Sequence, residues 1–501
     1  MLESNEMRHL VGPTSWQLRP MYESLVGVDP TTGALVPELA TEWSIEPSQA
    51  SVRYKLRRGI PFHGSYGEVT AKDVPVAWKE NIKEDSLTLT RPYWARTLKD
   101  IEIVNDYEVI HRLNRPDGYF FESNSEARGN MEVMSLTQLQ QQGPSTMQTA
   151  PLAGTGPYKY QERAQGSYLR YERAFDRHWR SNPDFPEFEF RWVKEASTRL
   201  AALLTGEIQM ADLPQDQRAQ TDQRGFKVLL GKVPALRTFV EFYCCSFRDI
   251  NDFSKGYVQP DNPLRDKRVR QALSKAVNRD ELNKAFFAGK GEPLYMNHMH
   301  KSGDVWNPDW ERRFQEVYGF DQARARALLA EAGHGPSNPV SINLRVVAVA
   351  GYSGAEDVTE AIAAFWRNVG VNVSLFQMEE TQFQNAASRQ FQFSNHAQLA
   401  ATNATRWTGQ NAYATSLGPR RGVEIAEVDN ALKQVLGTLD EGKQKELWRR
   451  AGDLRFDAVQ EVPLFWLPVE VVVDPKIVAD WVFPGSISGS WSHVQNIKAA
   501  R

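Results

Sequence analysis

His298-Met299-His300 has the spacing with which a strand or loop can place two imidazoles on one metal ion. No third ligand is evident nearby, and zinc sites take at least three protein ligands. These histidines therefore read as loop groups or as the lining of a ligand cleft, with no metal assigned. Gly154-Thr155-Gly156-Pro157 contains a G-x-G, but Pro157 and Tyr158 stand where a dinucleotide fingerprint needs the start of a helix. No Walker loop, G-x-S-x-G elbow or H-E-x-x-H occurs. With 62 acidic residues, some close carboxylate pairs are inevitable, so pairing alone names no general acid or base. Arg177-His178-Trp179-Arg180 mixes basic and aromatic groups as a nucleic-acid patch would, yet it is short, is followed by acidic residues, and reads as a solvated turn. Cys244 and Cys245 are the only two cysteines and are adjacent. Neighbouring Cα atoms lie ~3.8 Å apart, below the usual disulfide separation. Two reduced thiols on a strand are expected, with a vicinal disulfide or redox site as the alternative. None of these groups points to catalysis, and no cofactor is implied.

The 501 residues allow two to four domains and a sizeable core. The 59 Lys+Arg against 62 Asp+Glu leave a net charge of −3, without the basic excess of a nucleic-acid binder. No apolar run approaches the ~18 residues of a membrane helix. The 24 Phe, 16 Tyr and 14 Trp exceed what a core alone needs, and stacking on a ligand is one use for the surplus. The first residues lack the basic and apolar regions of a signal peptide. Such a segment is thus expected to be absent from this chain, either because the protein is cytosolic or because it was removed.

Elements of both types alternate along the chain. Phe188, Phe190 and Trp192 alternate with Glu187, Glu189 and Arg191, the period of a half-buried strand. Arg199 to Leu204 reads as a helix closed by Gly206, and Ile208 to Met210 returns to extended form. Asp266 to Ala288 predicts one helix or a broken pair, and Val358 to Val369 predicts another that feeds the strand Val371 to Leu375. Val52 to Leu56 and Ile101 to Leu113 read as strands, with Thr70 and Asp73 capping a helix that carries Val76, Ala77 and Trp78. This interleaving predicts α/β layering. Polar breaks near Gln140 to Pro144 and Lys255 to Pro263 are candidate junctions.

Six segments occur in a fixed order. Met21 to Gly27 and Pro37 to Trp43 look like "YEGLV…P.LAE.W". Tyr54 to Gly64 with Thr70 to Val74 look like "F.LR.GV.FHDG…TA.DV", and Gly154 to Tyr158 reads "GTGPY" outright. Arg268 to Arg279 is similar to "RVRQAL..AI.R", Ala327 to Gly333 to "A..LLAEAG", and Val462 to Phe465 to a late "VPL" strand. Together they resemble the solute-binding proteins of ABC importers, in the large dipeptide/oligopeptide/nickel-binding class called family 5. The resemblance implies an α/β, two-lobed periplasmic-binding-protein fold of type II, the Venus flytrap, with an extra domain inserted in the first lobe. It places the first lobe at 1–30, 150–240 and 466–501, the inserted domain at 31–149, and the second lobe at 241–465. Ligand capture by lobe closure, a membrane permease as partner and a monomeric state follow from it. So does a periplasmic or lipid-anchored extracellular location. No nucleic-acid partner is implied.

Carried over segment by segment, the resemblance nominates Ser15, Trp16 and Gln17 before the first motif, and Tyr243 on the strand entering the second lobe. It also nominates Asn395, His396 and Gln398, with Arg406 and Trp407 beyond them, and Phe465 and Trp466 at the last crossover. Trp16, Trp407 and Trp466 could stack on a ring or sugar face, and Arg406 could clamp an anion. Peptide-binding members carry an Asp in a "GW.AD" segment that pairs with the ligand amine. In this chain Gln398 stands for the Trp and Ala401 for the Asp. A buried ammonium without a counter-charge is costly, so a free-amine peptide requires another carboxylate. The expectation is a polar organic solute of peptide, opine or oligosaccharide type, with the modified and sugar-like ligands favoured. The alternatives are a hydrolase on the same cleft, needing a nucleophile or acid/base pair, and a peptide-sensing or chaperone-like binder.

Overall fold

A computed structural model describes residues 3–9, 17–32, 34–46, 50–88, 90–118, 120–127, 131–214, 217–231, 236–303, 305–346, 354–378, 382–383, 394–403, 422–482 and 491–501. The chain divides into two compact units, one of residues 1–235, 437–439 and 469–501, the other of 236–436 and 440–468.

Unit 1 is built from small antiparallel sheets. A ribbon pairs β1 (Val26–Val28) with β2 (Leu35–Pro37), and a four-stranded sheet has the order β3 (Ala40–Ile45), β4 (Ser51–Leu56), β6 (Glu108–Leu113), β5 (Leu98–Asn105). Then β7 (Tyr158–Ala164), β8 (Tyr168–Arg173) and β9 (Glu187–Arg191) form a meander. The expected alternation of Phe188 and Phe190 with charged neighbours falls within β9. β18 (Glu470–Val473) lies between β10 (Met210–Ala211) and β11 (Lys227–Leu230), and β19 (Val478–Trp481) pairs with β20 (Ile497–Ala499). The expected Thr70–Asp73 pairing forms, with Asp73 Oδ2 accepting the Thr70 N–H at 2.9 Å, but it closes the turn ahead of the helix Pro75–Asn81, whose N-cap Val74 makes no side-chain capping bond.

The "GTGPY" motif lies against the first motif of the chain. The Gly156 N–H donates to the Met21 carbonyl at 3.0 Å, the His63 ring bonds the Gly156 carbonyl at 2.8 Å, and Thr155 Oγ1 donates to Glu23 Oε2 at 2.9 Å. That carboxylate also accepts from Trp179 Nε1 and Arg180 Nε, each at 2.9 Å. The expectation of a solvated turn at 177–180 is thereby corrected. His178 is buried, and Arg180 bridges Glu23 and Glu38 because two buried carboxylates need a cation at hand. Burial alone would raise Glu23, but Arg180, His178 and Trp179 outweigh it and hold the carboxyl below its ordinary range.

Unit 2 is organised by a six-stranded sheet in the order β13 (Glu292–Pro293), β17 (Val462–Leu467), β12 (Leu236–Tyr243), β16 (His396–Asn403), β14 (Ser341–Arg345), β15 (Asn372–Phe376). β12 runs antiparallel to β16 and β17, whereas β14 is parallel to β15 and β16. The segment 266–288 is a broken pair of helices, Lys267–Ala276 and Arg279–Phe287, and a third helix covers Ala355–Asn368. Their apolar stripes meet Leu236, Val240, Phe242, Leu344, Ala397 and Leu399 of the sheet. Trp366 is fully buried there and donates its indole N–H to the Leu273 carbonyl at 3.0 Å. Trp310 and Trp448 anchor a second cluster between the helices Pro308–Val317, Ala426–Leu436 and Glu441–Ala458. The unit ends at 468, so Trp466, expected in the first lobe, belongs here: β17 pairs with β12 as far as Leu467. Among the described residues no helix is long and apolar enough to cross a membrane.

Asp266 begins the first of these helices by accepting the Arg268 N–H at 2.8 Å. Asp266→Ala should cost about 1 kcal/mol of stability in urea denaturation, and Asp266→Asn, which keeps an accepting oxygen, only a few tenths.

The cysteine expectation is also corrected. Cys244 and Cys245 are joined by a disulfide, with Cα atoms 3.8 Å apart. Cys245 adopts φ +61°, which turns the chain sharply at the end of β12 and brings the two sulfurs together.

Candidate functional site

Strand geometry sorts the residues of β12 onto two faces. Leu236, Val240 and Phe242 enter the helix-covered core, so Arg237, Phe239, Glu241 and Tyr243 share the opposite face. Register extends that face sideways. Tyr243 is opposite His396, Glu241 opposite Gln398, and Arg237 opposite Trp466, while Arg345 is opposite Gln398 from the other side. Its charged residues stand on a sheet whose other side is apolar apart from Thr238, which bonds the Phe465 backbone.

A row of hydrogen bonds crosses three strands of this face. Arg345 Nη1 donates to Gln398 Oε1 at 2.8 Å, Gln398 Nε2 donates to Glu241 Oε1 at 3.4 Å, and the Tyr243 hydroxyl donates to the same oxygen. The Gln398 amide can face only one way, since a guanidinium only donates and a carboxylate only accepts. Arg345 also donates to the Met378 carbonyl at 2.7 Å, and its guanidinium lies 3.9 Å from the centroid of Phe383. Phe383 meets Tyr243 edge to face at 5.1 Å. The result is a fixed alternation of cation, amide, carboxylate and phenol, all of it buried.

A second cluster begins one register step away. Arg237 donates to Asn297 Oδ1 and, at 2.9 Å, to His298 Nε2. Asn297 passes the contact on to Glu461 at 2.7 Å, and Arg455 stands 3.6 Å from that carboxylate. Burial, then Arg237 and Arg455, keep the His298 imidazole well below its ordinary pKa, so it is neutral, with Nε2 as the acceptor. His300 turns elsewhere, to Glu292 at 3.3 Å and edge-on to Trp466 at 5.4 Å. The two histidines therefore do not converge on one point, and no group of metal-ligating side chains occurs among the described residues. Glu292, Tyr295, His300, Lys301, Trp306 and Trp466 line a small aromatic hollow beside them.

Of the nominated residues, Tyr243, His396, Gln398 and Trp466 share the polar face. Asn395 immediately precedes β16 at φ +53° and is half-buried. His396 holds the Ser394 carbonyl at 2.6 Å, and burial lowers its pKa. Phe465 points the other way, into the helix-covered core against Phe287 at 5.3 Å. Gln17 is buried in unit 1, with Arg163 on its side chain at 3.2 Å and Tyr171 on its carbonyl. Ser15, Trp16, Arg406 and Trp407 lie outside the described residues.

Arg237, Glu241, Arg345, Asn297 and Glu461 were not nominated. The signal for the first two lay in Leu236 to Tyr243, where Arg and Glu alternate with apolar residues in a strand otherwise suited to a core.

The chain is similar to proteins already characterised. It is 24% identical over 377 residues to the dipeptide-binding protein of Escherichia coli, a match covering 72% of this chain and 66% of that one. It is 25% identical over 487 residues to the glutathione-binding protein GsiB of Pectobacterium atrosepticum, covering 94% and 87%. The chain thus spans about two thirds of the length of the first and most of the second. Among solved structures, the ABC transporter substrate-binding protein CtaP of Listeria monocytogenes superposes with a TM-score of 0.79 at 17% identity, covering 100% of this chain and 98% of that one. NikA of Brucella suis, in complex with Fe(III)-EDTA, gives 0.77 at 20% identity, covering 98% and 97%. The fold is that of the type II periplasmic binding proteins. The model of the family described as bacterial extracellular solute-binding proteins, family 5, matches residues 34–418, and the chain belongs to that family.

Proposed function

We propose that this chain is the capture component of an ABC importer and that it binds a small peptide-like solute carrying a free amine and an oxygen-rich end. The observation that carries this reading is the buried row Arg345–Gln398–Glu241–Tyr243 on the polar face of the unit 2 sheet. Glu241 answers the objection raised by Ala401. A carboxylate on the neighbouring strand is available for an ammonium group, and Arg345 and Arg237 offer the cationic counterpart for a carboxylate. The favoured ligand thus moves from modified or sugar-like solutes towards free-amine peptides and amino-acid conjugates. The printed names of relatives point the same way, with dipeptide-, glutathione- and oligopeptide-binding proteins among them. Solved neighbours hold a peptide or agropinic acid. Binding shifts the protein towards its closed form by differential affinity, and a membrane permease reads that form. The protein works outside the cytoplasm, as a monomer and without catalysis.

Thermal shift and calorimetry with Ala-Ala, N-acetyl-Ala-Ala, an opine and a neutral oligosaccharide test this. Ala-Ala should stabilise the protein and its N-acetyl form should not. Glu241→Gln should weaken Ala-Ala binding by about 30-fold, or ~2 kcal/mol, through loss of the counter-charge. Stabilisation by the oligosaccharide alone, or equal binding of both dipeptide forms, overturns the reading.

A further inference from the structure

Cys244 and Cys245 follow Tyr243 directly, at the end of the strand that carries the polar row. A disulfide between neighbours closes a very small ring, so few backbone conformations accommodate it. Here it goes with Cys245 in the left-handed region, which L-residues rarely adopt. The turn is tied to a distant part of unit 2 through one residue. The Glu424 N–H donates to the Cys245 carbonyl at 3.4 Å, and the Glu424 carboxylate accepts the Phe247 N–H at 2.7 Å. The redirected chain then places Phe247 between Phe253 and Tyr257, with stacked centroids at 4.3 and 4.5 Å. Tyr257 returns a hydrogen bond to the Glu424 carbonyl at 3.2 Å. Glu424 stands just before the helix Ala426–Leu436. One covalent turn therefore sets the path of the chain after Tyr243 and ties it, through Glu424, to the start of the helix Ala426–Leu436.

We propose that the Cys244–Cys245 bond is a redox-modified site, opened by a dithiol reductant, and that it acts as a latch on the candidate ligand site. A reductant thiolate attacks one sulfur, the S–S bond breaks and a mixed disulfide forms. The second reductant thiol then displaces the cysteine. The protein gains two electrons and two protons as two thiols, and the reductant leaves as its own disulfide. Without the ring, Cys245 returns to negative φ, its carbonyl turns away from the Glu424 N–H, and Phe247 leaves its stack. Both cysteines are almost fully buried, so reduction of the folded protein passes through local opening and is slow. The effect on ligand rests on the site assigned above; the thiol chemistry does not.

Protein purified without reductant, denatured and treated with N-ethylmaleimide should gain no adduct by intact mass, and two adducts after dithiothreitol. Two adducts before reduction overturn the proposal. Hydrogen exchange of the folded protein should then speed up about tenfold or more in peptides covering 244–258 and 422–426 after dithiothreitol treatment, with Pro308–Val317 unchanged. In Cys244→Ala/Cys245→Ala the same peptides should exchange fast whether or not dithiothreitol is present. Unchanged exchange in the wild type, with two free thiols verified, overturns the latch even if the double variant fails to fold. Failure of every dipeptide to bind would remove the ligand reading and leave the mass and exchange results standing.

Discussion

Gly154→Ala is expected to remove about 3 kcal/mol from the stability of unit 1, a large share of the roughly 5–15 kcal/mol that holds a domain folded. Gly154 does not need its glycine for backbone conformation, since its φ is not positive. It needs it for space. A Cβ there would overlap the Met21 carbonyl oxygen and stand 2.5 Å from Tyr22 Cδ1. Gly156 is similarly placed, 2.6 Å from the Pro20 carbonyl oxygen. The obstacle is backbone, so no rotamer change relieves it. Backing away would break the Gly156–Met21 hydrogen bond and the two His63 contacts to this loop. Gly335→Ala is the control: a Cβ there meets nothing within 4 Å, and no positive φ is involved. Urea denaturation should show a large loss for Gly154→Ala and almost none for Gly335→Ala. Comparable midpoints for the two would mean that the loop moves more freely than its packing implies.

That pair of glycines illustrates what could be read from the chain alone. "GTGPY" and the Tyr22 motif were each legible as sequence, and their order suggested a shared architecture. That they lie against each other, with Glu23 collecting donors from Thr155, Trp179 and Arg180, was not. The partners are more than 130 residues apart, and no local period encodes such a pairing. Helix ends were legible because their signals are local: Gly206 stops its helix at φ +79°, and Asp266 caps Lys267–Ala276. The polar sheet face was only half legible. Tyr243, His396, Gln398 and Trp466 were nominated by resemblance, but Glu241 and Arg345 gain their meaning from register across β12, β16 and β14. Phe465 was misdirected by a single residue, since a step of one along a strand reverses the face. The cysteine pair was misread because the spacing rule describes unstrained partners, and a positive φ at Cys245 lies outside it.

Acid should destabilise unit 1 through its buried histidines as the pH falls below about 6.5. Burial pushes His63 down to about 4 and His111 to about 3. In the unfolded chain both return to ~6.5. Below that pH the unfolded state therefore binds more protons than the folded one, and stability falls as pH falls. Each group contributes a slope of about 1.4 kcal/mol per pH unit between pH 6.5 and its folded value, and nothing above about pH 7.5. Together they should remove roughly 5 to 7 kcal/mol on going from pH 7 to pH 4. Glu38 acts in the opposite sense, because burial raises its carboxyl well above the usual range and it takes up a proton more readily in the fold. His111→Phe separates the terms. The ring sits between Tyr54 at 4.9 Å and Phe120 at 5.7 Å, so an apolar ring fits there. Asn124 keeps its 3.0 Å bond to the Tyr54 hydroxyl. Urea denaturation at pH 7, 6 and 5 should give the variant a pH slope shallower by about one proton, with little change at pH 8. An unaltered slope would mean that His111 is reached by protons without unfolding, and that its burial does not govern the acid limb.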